Sequence, residues 1–409
     1  MTSPLKINQP RLIARLDELA RVGALDGGGV TRLTFTDADK EGRDLLVRWM
    51  RELGLAVQID RVGNIFGTRI GETDDAPVMF GSHIDTVKSA GTLDGCYGVL
   101  AALECVHTLT EQNIQTRRPL VVAAFTNEEG VRFTPGMLGS AVYIGELSVE
   151  QAWDLRGFDG TRFGGEIQRV GYDGTMEPGA IEPCAYLELH IEQGPLLDLN
   201  RVPIGAVDAV VGITWLEITV NGAANHAGTT PMDMRRDAGL AAAKIVTYLR
   251  EIATTLGGNQ RATCGMIQFL PNAINVIPSK AIFTVDLRNS DNDALQKAEA
   301  MLVEFVKKIE TEDGVSVEVR ALEHVLPVQF HPMAIQAVEE SAQKLGLQFQ
   351  RMVSGAGHDA QLMAHKFPSA MIFVPSREGI SHSPKEYTPP EDLARGADVL
   401  LNAIVDLAN

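Results

Sequence analysis

Phe80-Gly81-Ser82-His83-Ile84-Asp85-Thr86-Val87, followed three residues later by Gly91-Thr92-Leu93-Asp94-Gly95, is the stretch around which the rest of the chain is read. Residues 78–80 form a short apolar run of the kind that makes a buried strand, and the two-residue period of a strand points His83 and Asp85 to one side. An imidazole that ligates a metal commonly donates its other N–H to a carboxylate, which fixes the tautomer, so Asp85 is the natural orienting partner of His83. Asp94 stands just before Gly95 and an apolar helical stretch, where a glycine-flanked loop can fold a carboxylate back beside the ring. His-x-Asp alone also fits a hydrogen-bonded pair at a strand end. Any further ligands have to come from elsewhere in the chain.

Upstream, apolar residues at helical spacing over 11–22 predict an amphipathic helix. Thr36 and Asp37 offer caps for a second helix running to Leu53 before Gly54, and residues 56–70 read as a strand pair broken at Gly63-Asn64. Downstream, residues 98–109 form an apolar helix and 119–125 (PLVVAAF) a continuous apolar strand, the pattern of a parallel sheet covered on both faces. Strand, helix and strand in alternation predict an α/β fold, a mixed sheet covered by helices. The strand at 119–125 runs into Thr126-Asn127-Glu128-Glu129-Gly130, which puts an acidic pair at the carboxyl end of a strand, where α/β sheets gather their ligands. Residues 185–191 (AYLELHI) are another strand, with Glu188, His190 and Glu192 on one side and Gln193-Gly194-Pro195 next. Residues 370–374 add a further strand, and the loop at 375–384 contains His382.

Between these lies a segment of different character. Residues 212–222 predict a strand, 232–256 a helix, 262–270 and 279–288 two strands, 293–309 a helix and 315–323 a strand. This β-α-β-β-α-β order is a self-contained ferredoxin-like module. The expected organisation is therefore a discontinuous domain, 1–211 with 328–409, and an inserted domain, 212–327. Alternation along 279–288 puts Arg288 with Ile282, Thr284 and Asp286, on the face turned away from the module's apolar layer. A surface ion pair with Asp286 is the plain alternative to any functional role for Arg288.

A chain of 409 residues has room for two domains, and its 45% hydrophobic and 22% charged content is ordinary for a globular protein. The formal charge of −17 argues against nucleic acid and anionic membrane surfaces as partners, because both need a basic footprint. Cys96, Cys105, Cys184 and Cys264 follow no C-x-x-C spacing and read as buried, reduced thiols. The first twelve residues lack the charged head and apolar core of a signal peptide, and no apolar run approaches a membrane span, so a cytoplasmic location is expected.

Collected by strand end, the α/β domain offers His83, Asp94, Glu128, Glu129, His190 and His382. Two histidines and an acid are a common metal set, and a carboxylate able to bridge lets two divalent ions sit about 3.5–4 Å apart. With these residues in view, GSHIDTV, GTLDG, FTNEEG, ELHIEQGP, NHAGTTPM, NVIP and SGAGHDA together resemble the M20 metallopeptidase-like family over nearly the whole chain. The likeness is greatest to its hydantoinase/carbamoylase branch, which includes N-carbamoyl-L-amino-acid hydrolases, allantoate amidohydrolases and β-ureidopropionases.

The resemblance implies two divalent ions per subunit (Mn, Co, Ni or Zn), with Asp94 bridging them, His83 and His190 completing one site, and Glu129 and His382 the other. It implies Glu128 as general base, with Asp85 among the catalytic residues. It implies His226 of the inserted domain at the scissile carbonyl, and Gln193 of the first domain with Asn275 and Arg288 of the inserted one gripping the substrate, Arg288 on its carboxylate. It makes the inserted domain a lid and the homodimer contact, and leaves His358 and Asp359 in a supporting role. The expected activity is hydrolysis of the ureido C–N bond of N-carbamoyl-L-amino acids. Allantoate amidohydrolase and β-ureidopropionase are the near alternatives; a dipeptidase and a non-catalytic metal-dependent binding protein are the distant ones.

Overall fold

The computed structural model describes residues 4–409, and the chain divides into two compact units: residues up to Asp208 together with Phe330–Asn409, and Ala209–Gln329. In the first unit the strands lie in the order Ala56–Ile59, Ile65–Arg69, Leu120–Phe125, Val78–His83, Ala185–Ile191, Ser369–Val374 and Ile204–Val210, with Phe349–Ser354 also paired to the last. The sheet is mixed. Four central strands run parallel, Leu120–Phe125 beside Val78–His83, then Ala185–Ile191, then Ser369–Val374, while the flanking pairs are antiparallel. Every residue of those four strands is buried, as expected for parallel strands covered by helices on both faces.

The helix Cys96–Glu111 is apolar nearly all round and buried over its first eleven residues, so it packs as a core element rather than as an amphipathic surface helix. Gly98 lets it approach the sheet closely: a Cβ there would lie 2.3 Å from the Leu189 carbonyl oxygen. The helix Pro390–Ala408 packs on Cys96–Glu111 and on the Ser369–Val374 strand. The N-terminal helix Gln9–Leu19 is capped by Asn8 and pinned through Arg11 and Arg15 to the buried Glu104. The Asp37–Glu52 helix starts at the Thr36 cap, whose side chain accepts from the Asp39 amide.

The second unit is an antiparallel sheet in the order Ile267–Leu270, Lys280–Asn289, Gly212–Asn221 and Ser316–Val325, with Arg261–Thr263 also paired to Lys280–Asn289. The helices Ala238–Leu256 and Asn292–Asp313 pack on one face of it, over Leu216, Ile218, Val220, Ala281, Phe283, Val285 and Leu287. Two expectations shift here. The first helix begins at Ala238 rather than near Met232, because Asp237 caps it by accepting from the Gly239 and Leu240 amides, while Met232–Met234 forms a separate 3-10 turn after Pro231. The strand expected over 262–270 is two short strands, Arg261–Thr263 and Ile267–Leu270.

Cys96 and Cys105 are buried thiols as expected, but Cys184 and Cys264 are only half-buried; none is in a disulfide. Among the described residues no helix is long and apolar enough to cross a membrane.

Candidate metal centre

Because the four central strands are parallel, their carboxyl ends open on the same edge of the sheet, where the chain places its polar side chains. His83 is the last residue of its strand, His190 the last but one of its own, Glu128 and Glu129 follow Phe125, and His382 lies in the loop after Val374. Asp94 reaches the same place from the loop before the Cys96–Glu111 helix. Gly95 makes that loop possible: its φ of +61° is left-handed, and a Cβ there would lie 2.3 Å from His83 Cε1.

Two donor groups form around one carboxylate. His83, Asp94 and His190 make the first, and Asp94, Glu129 and His382 the second, with the offered atoms of each group within 4.8 Å of one another. Asp94 faces them with different oxygens. Oδ1 lies 3.1 Å from His190 Nε2 and 3.7 Å from His83 Nε2, and Oδ2 lies 3.2 Å from His382 Nε2. His382 Nε2 is 3.6 Å from Glu129 Oε2. Donors held about 2.0–2.2 Å from a tetrahedral ion lie about 3.3–3.6 Å apart, so these four separations are close to those between the ligands of a divalent cation.

The other ring nitrogens fit the same reading. Nδ1 of His83 is 3.0 Å from the Asp85 carbonyl oxygen and Nδ1 of His190 is 2.8 Å from the Ile191 carbonyl oxygen, so each Nδ1 donates to backbone and each Nε2 is turned toward Asp94, with the Gly95 amide also 3.1 Å from His190 Nε2. For His83 this changes the expected partner. The Asp85 carboxylate stands 3.8 Å off and accepts instead from the Glu128 and Glu129 amides, at 3.2 and 3.4 Å, and from Thr34. Two residues beyond the strand end, the chain has turned enough that the carbonyl, not the carboxylate, meets the ring. Asp85 thereby fixes the backbone of the acidic pair.

The electrostatics favour bound cations. Burial raises the Glu128 carboxyl well above its ordinary range, and the charges of Asp359, Glu129, Asp94 and Asp85 add to the shift. Glu129 is raised the same way, by burial and then by Asp94 and Asp85. For Asp94, burial also pushes upward, but hydrogen bonds from His190 and His382 outweigh it and hold the carboxyl well below its ordinary range. Burial alone would lower His190; its bond to Asp94 brings it to about 9. Imidazoles alone do not balance so many acids.

Backbone strain collects here. Asn127, Gln193 and His382 all have left-handed φ, between +53° and +58°. Asn127 is held so by donating through Nδ2 to the Phe133 and Pro135 carbonyls, which sets the turn into Glu128. Gln193 donates through Nε2 to Asp94 Oδ2 at 2.8 Å, and its Oε1 is buried without a donor among the described residues. His358 joins neither donor group; its ring packs edge-on against His190 at 4.5 Å and bonds Ser354, and Asp359 accepts from Ser140. Glu386 and Ser381, which nothing in the sequence singles out, bond directly to the Asp94 loop. Apart from a final strand and His382, the segment that carries them has no periodicity from which to find them.

His226, Asn275 and Arg288 belong to the second unit. A two-residue ribbon pairs His226 with Val276, next to Asn275, and the Ala227 amide donates to the Asn275 carbonyl. His226 Nδ1 accepts from the Gly228 and Thr229 amides at 3.0 and 3.2 Å, so the neutral ring carries its proton on an exposed Nε2. Arg288 forks onto Asp286, Nε to Oδ1 at 3.0 Å and Nη2 to Oδ2 at 3.0 Å, on the face away from the core.

A family model described as peptidase family M20/M25/M40 matches residues 79–406. An N-carbamoyl-L-amino-acid amidohydrolase from Rhizobium meliloti is 42% identical over 404 residues, covering 98% of this chain and 97% of that protein. An allantoate amidohydrolase from Bacillus subtilis is 35% identical over 396 residues, 96% of each. Among solved structures, a hydantoinase/carbamoylase family amidase from Burkholderia multivorans superposes with a TM-score of 0.97 at 43% identity, covering 98% of both chains.

Proposed function

The chain belongs to peptidase family M20/M25/M40, in the hydantoinase/carbamoylase branch, and from that premise we propose that it hydrolyses the ureido C–N bond of N-carbamoyl-L-amino acids, releasing the L-amino acid, carbon dioxide and ammonia. It is a hydrolase of C–N bonds other than peptide bonds. The observation that most supports the reading is Asp94 turning one oxygen to each of two histidine-bearing donor groups, with Glu128 beside them. In this proposal His83, His190 and Asp94 hold one divalent ion and Asp94, Glu129 and His382 a second. When bound, such ions make a water more acidic and polarise a carbonyl oxygen.

The chain's own residues do the rest. Glu128 takes the proton of the attacking water and returns it to the nitrogen that leaves as the C–N bond breaks. Asp85 keeps Glu128 in register by accepting its backbone N–H. The unsatisfied Gln193 Oε1 accepts from a ureido N–H. From the second unit, His226 Nε2–H stabilises the oxyanion, Asn275 orients the substrate and Arg288 exchanges Asp286 for the substrate carboxylate.

Arg288→Ala is expected to raise KM roughly 10- to 100-fold, the worth of a charge-assisted pair, with metal content unchanged. Arg288→Lys should restore little, because an ammonium cannot fork onto a carboxylate. A KM that stays put in both variants removes the carboxylate clamp.

The allantoate amidohydrolase relative supports a second reading, in which the substrate bears a second ureido group. Ammonia release from N-carbamoyl-L-methionine, allantoate and N-carbamoyl-β-alanine, assayed on chelated enzyme restored with Mn²⁺, Co²⁺, Ni²⁺ or Zn²⁺, separates the substrates and the metals. Turnover of allantoate alone would replace the first reading with the second.

A further inference from the structure

The two donor groups are built differently. His83 and His190 are each 1% exposed and locked at Nδ1 by a backbone carbonyl. His382 is 51% exposed, sits on a left-handed backbone, and comes from a loop nearly 290 residues beyond Asp94. What ties that loop to the Asp94 turn is Glu386. Its Oε1 accepts from two consecutive amides, Leu93 N at 2.9 Å and Asp94 N at 3.2 Å. Its Oε2 accepts from Ser381 Oγ at 3.0 Å, and Ser381 Oγ in turn lies 3.3 Å from Asp94 Oδ2, the oxygen that faces His382. The turn has no room for anything but glycine against this carboxylate: a Cβ on Gly91 would lie 2.2 Å from Glu386 Oε1.

We propose that Glu386 is a positioning residue for the exposed half of the metal centre, holding Asp94 Oδ2 and His382 at the spacing one cation requires while the His83–His190 half assembles without it. The inference rests on the two-ion reading above. Its chemistry is that of an acceptor: one carboxylate oxygen satisfies two buried amides, which fixes the two peptides leading into Asp94. Glutamine keeps that oxygen and can offer its amide N–H to Ser381, so acceptor geometry, not charge, is the property under test.

The test strips the wild type and the variants E386A, E386Q and S381A with chelator and titrates each full chain with Zn²⁺ alone by calorimetry, with the thermal midpoint of each stripped protein measured in parallel. Wild type should take up two ions. E386A should weaken one of them about 10- to 100-fold, the usual cost of removing an outer partner of a ligand, and leave the other within about twofold. E386Q should recover most of the loss. S381A should weaken the same ion by a smaller factor, and it decides the matter if E386A does not fold. Wild type with two ions and E386A unchanged, equal weakening of both ions, or E386Q as defective as E386A would each overturn the inference alone. A wild type that takes up no ion would overturn the two-ion reading and this inference with it.

Discussion

Glu128→Gln is expected to lower kcat by roughly 10²–10⁴-fold, the range of a lost general acid–base group, while leaving the bound metal and KM close to wild type. The side chain is 10% exposed and its Oε2 lies 3.5 Å from His83 Nε2, so it borders the donor groups without belonging to either. Its amide is tied to Asp85 Oδ1 and its carbonyl accepts from Met137 N at 2.7 Å, so the backbone beneath it is fixed from both sides. Glutamine matches its volume and its acceptor oxygen but cannot carry a proton to and fro. The environment also suits a proton carrier. Burial and then four surrounding carboxylates hold the proton on Glu128 more tightly than an exposed glutamate would, which makes the return of that proton to a leaving nitrogen the easier half of the cycle only once cations offset those charges. Steady-state kinetics with metal analysis on the same sample is the check. Near-normal kcat in a fully metallated variant would remove Glu128 as the base.

Much of this centre could be read in the chain because strands advertise themselves. An uninterrupted apolar run at residues 120–125 and a largely apolar one at 185–191 mark parallel strands, and polar residues at the ends of such runs have few places to go but the open edge of the sheet. His83, His190, Glu128 and Glu129 were legible for that reason. Asp94 was legible through its flanking glycines, one of which has the left-handed φ such a turn needs. Glu386, Ser381 and Asn127 were not, because what they do depends on which distant backbone groups fold against them: Glu386 meets amides 292 and 293 residues away. The partner of His83 was misjudged for a related reason. Sequence spacing says which residues share a side while the strand lasts, and Asp85 lies beyond its end. In the second unit, period-two alternation placed Arg288 correctly opposite Phe283, Val285 and Leu287, whereas the apolar Met232 and Met234 extended a helical pattern that Pro231 and the Asp237 cap cut short.

Stripped of divalent cations, the protein is expected to lose stability as the pH rises from about 5 to about 9, and added Mn²⁺ or Zn²⁺ should both raise the thermal midpoint and flatten that slope. The sign follows from proton counts. Glu128, Glu129, Asp85 and Asp359 have carboxyls raised in the folded state, by burial in each case first, and Asp60 is raised to about 7, so above the ordinary carboxylate range the folded chain binds more protons than the unfolded one and stability falls with pH. His190 acts in the same direction. Its bond to Asp94 overcomes burial and raises it to about 9, so that contribution is fully present below the unfolded histidine value of about 6.5 and is lost as pH passes through about 9. His358 opposes them: burial, then the nearby charge of His190, lowers it, so protonation near pH 6 favours the unfolded chain. His107, lowered first by burial, acts as His358 does, but two histidines do not outweigh five carboxyls and His190. The lowered Asp94 contributes stability that disappears only at acid pH, outside this window. Cations bound among Asp94, Glu128 and Glu129 replace the protons those acids would otherwise hold, which flattens the pH dependence, and an ion present at 1,000 times its Kd adds about 4 kcal/mol at each site. Thermal denaturation of chelated and metal-restored protein across this range reads both effects. A midpoint that climbs with pH in the chelated protein, or one indifferent to added cation, would mean that these carboxylates are not gathered to hold metal.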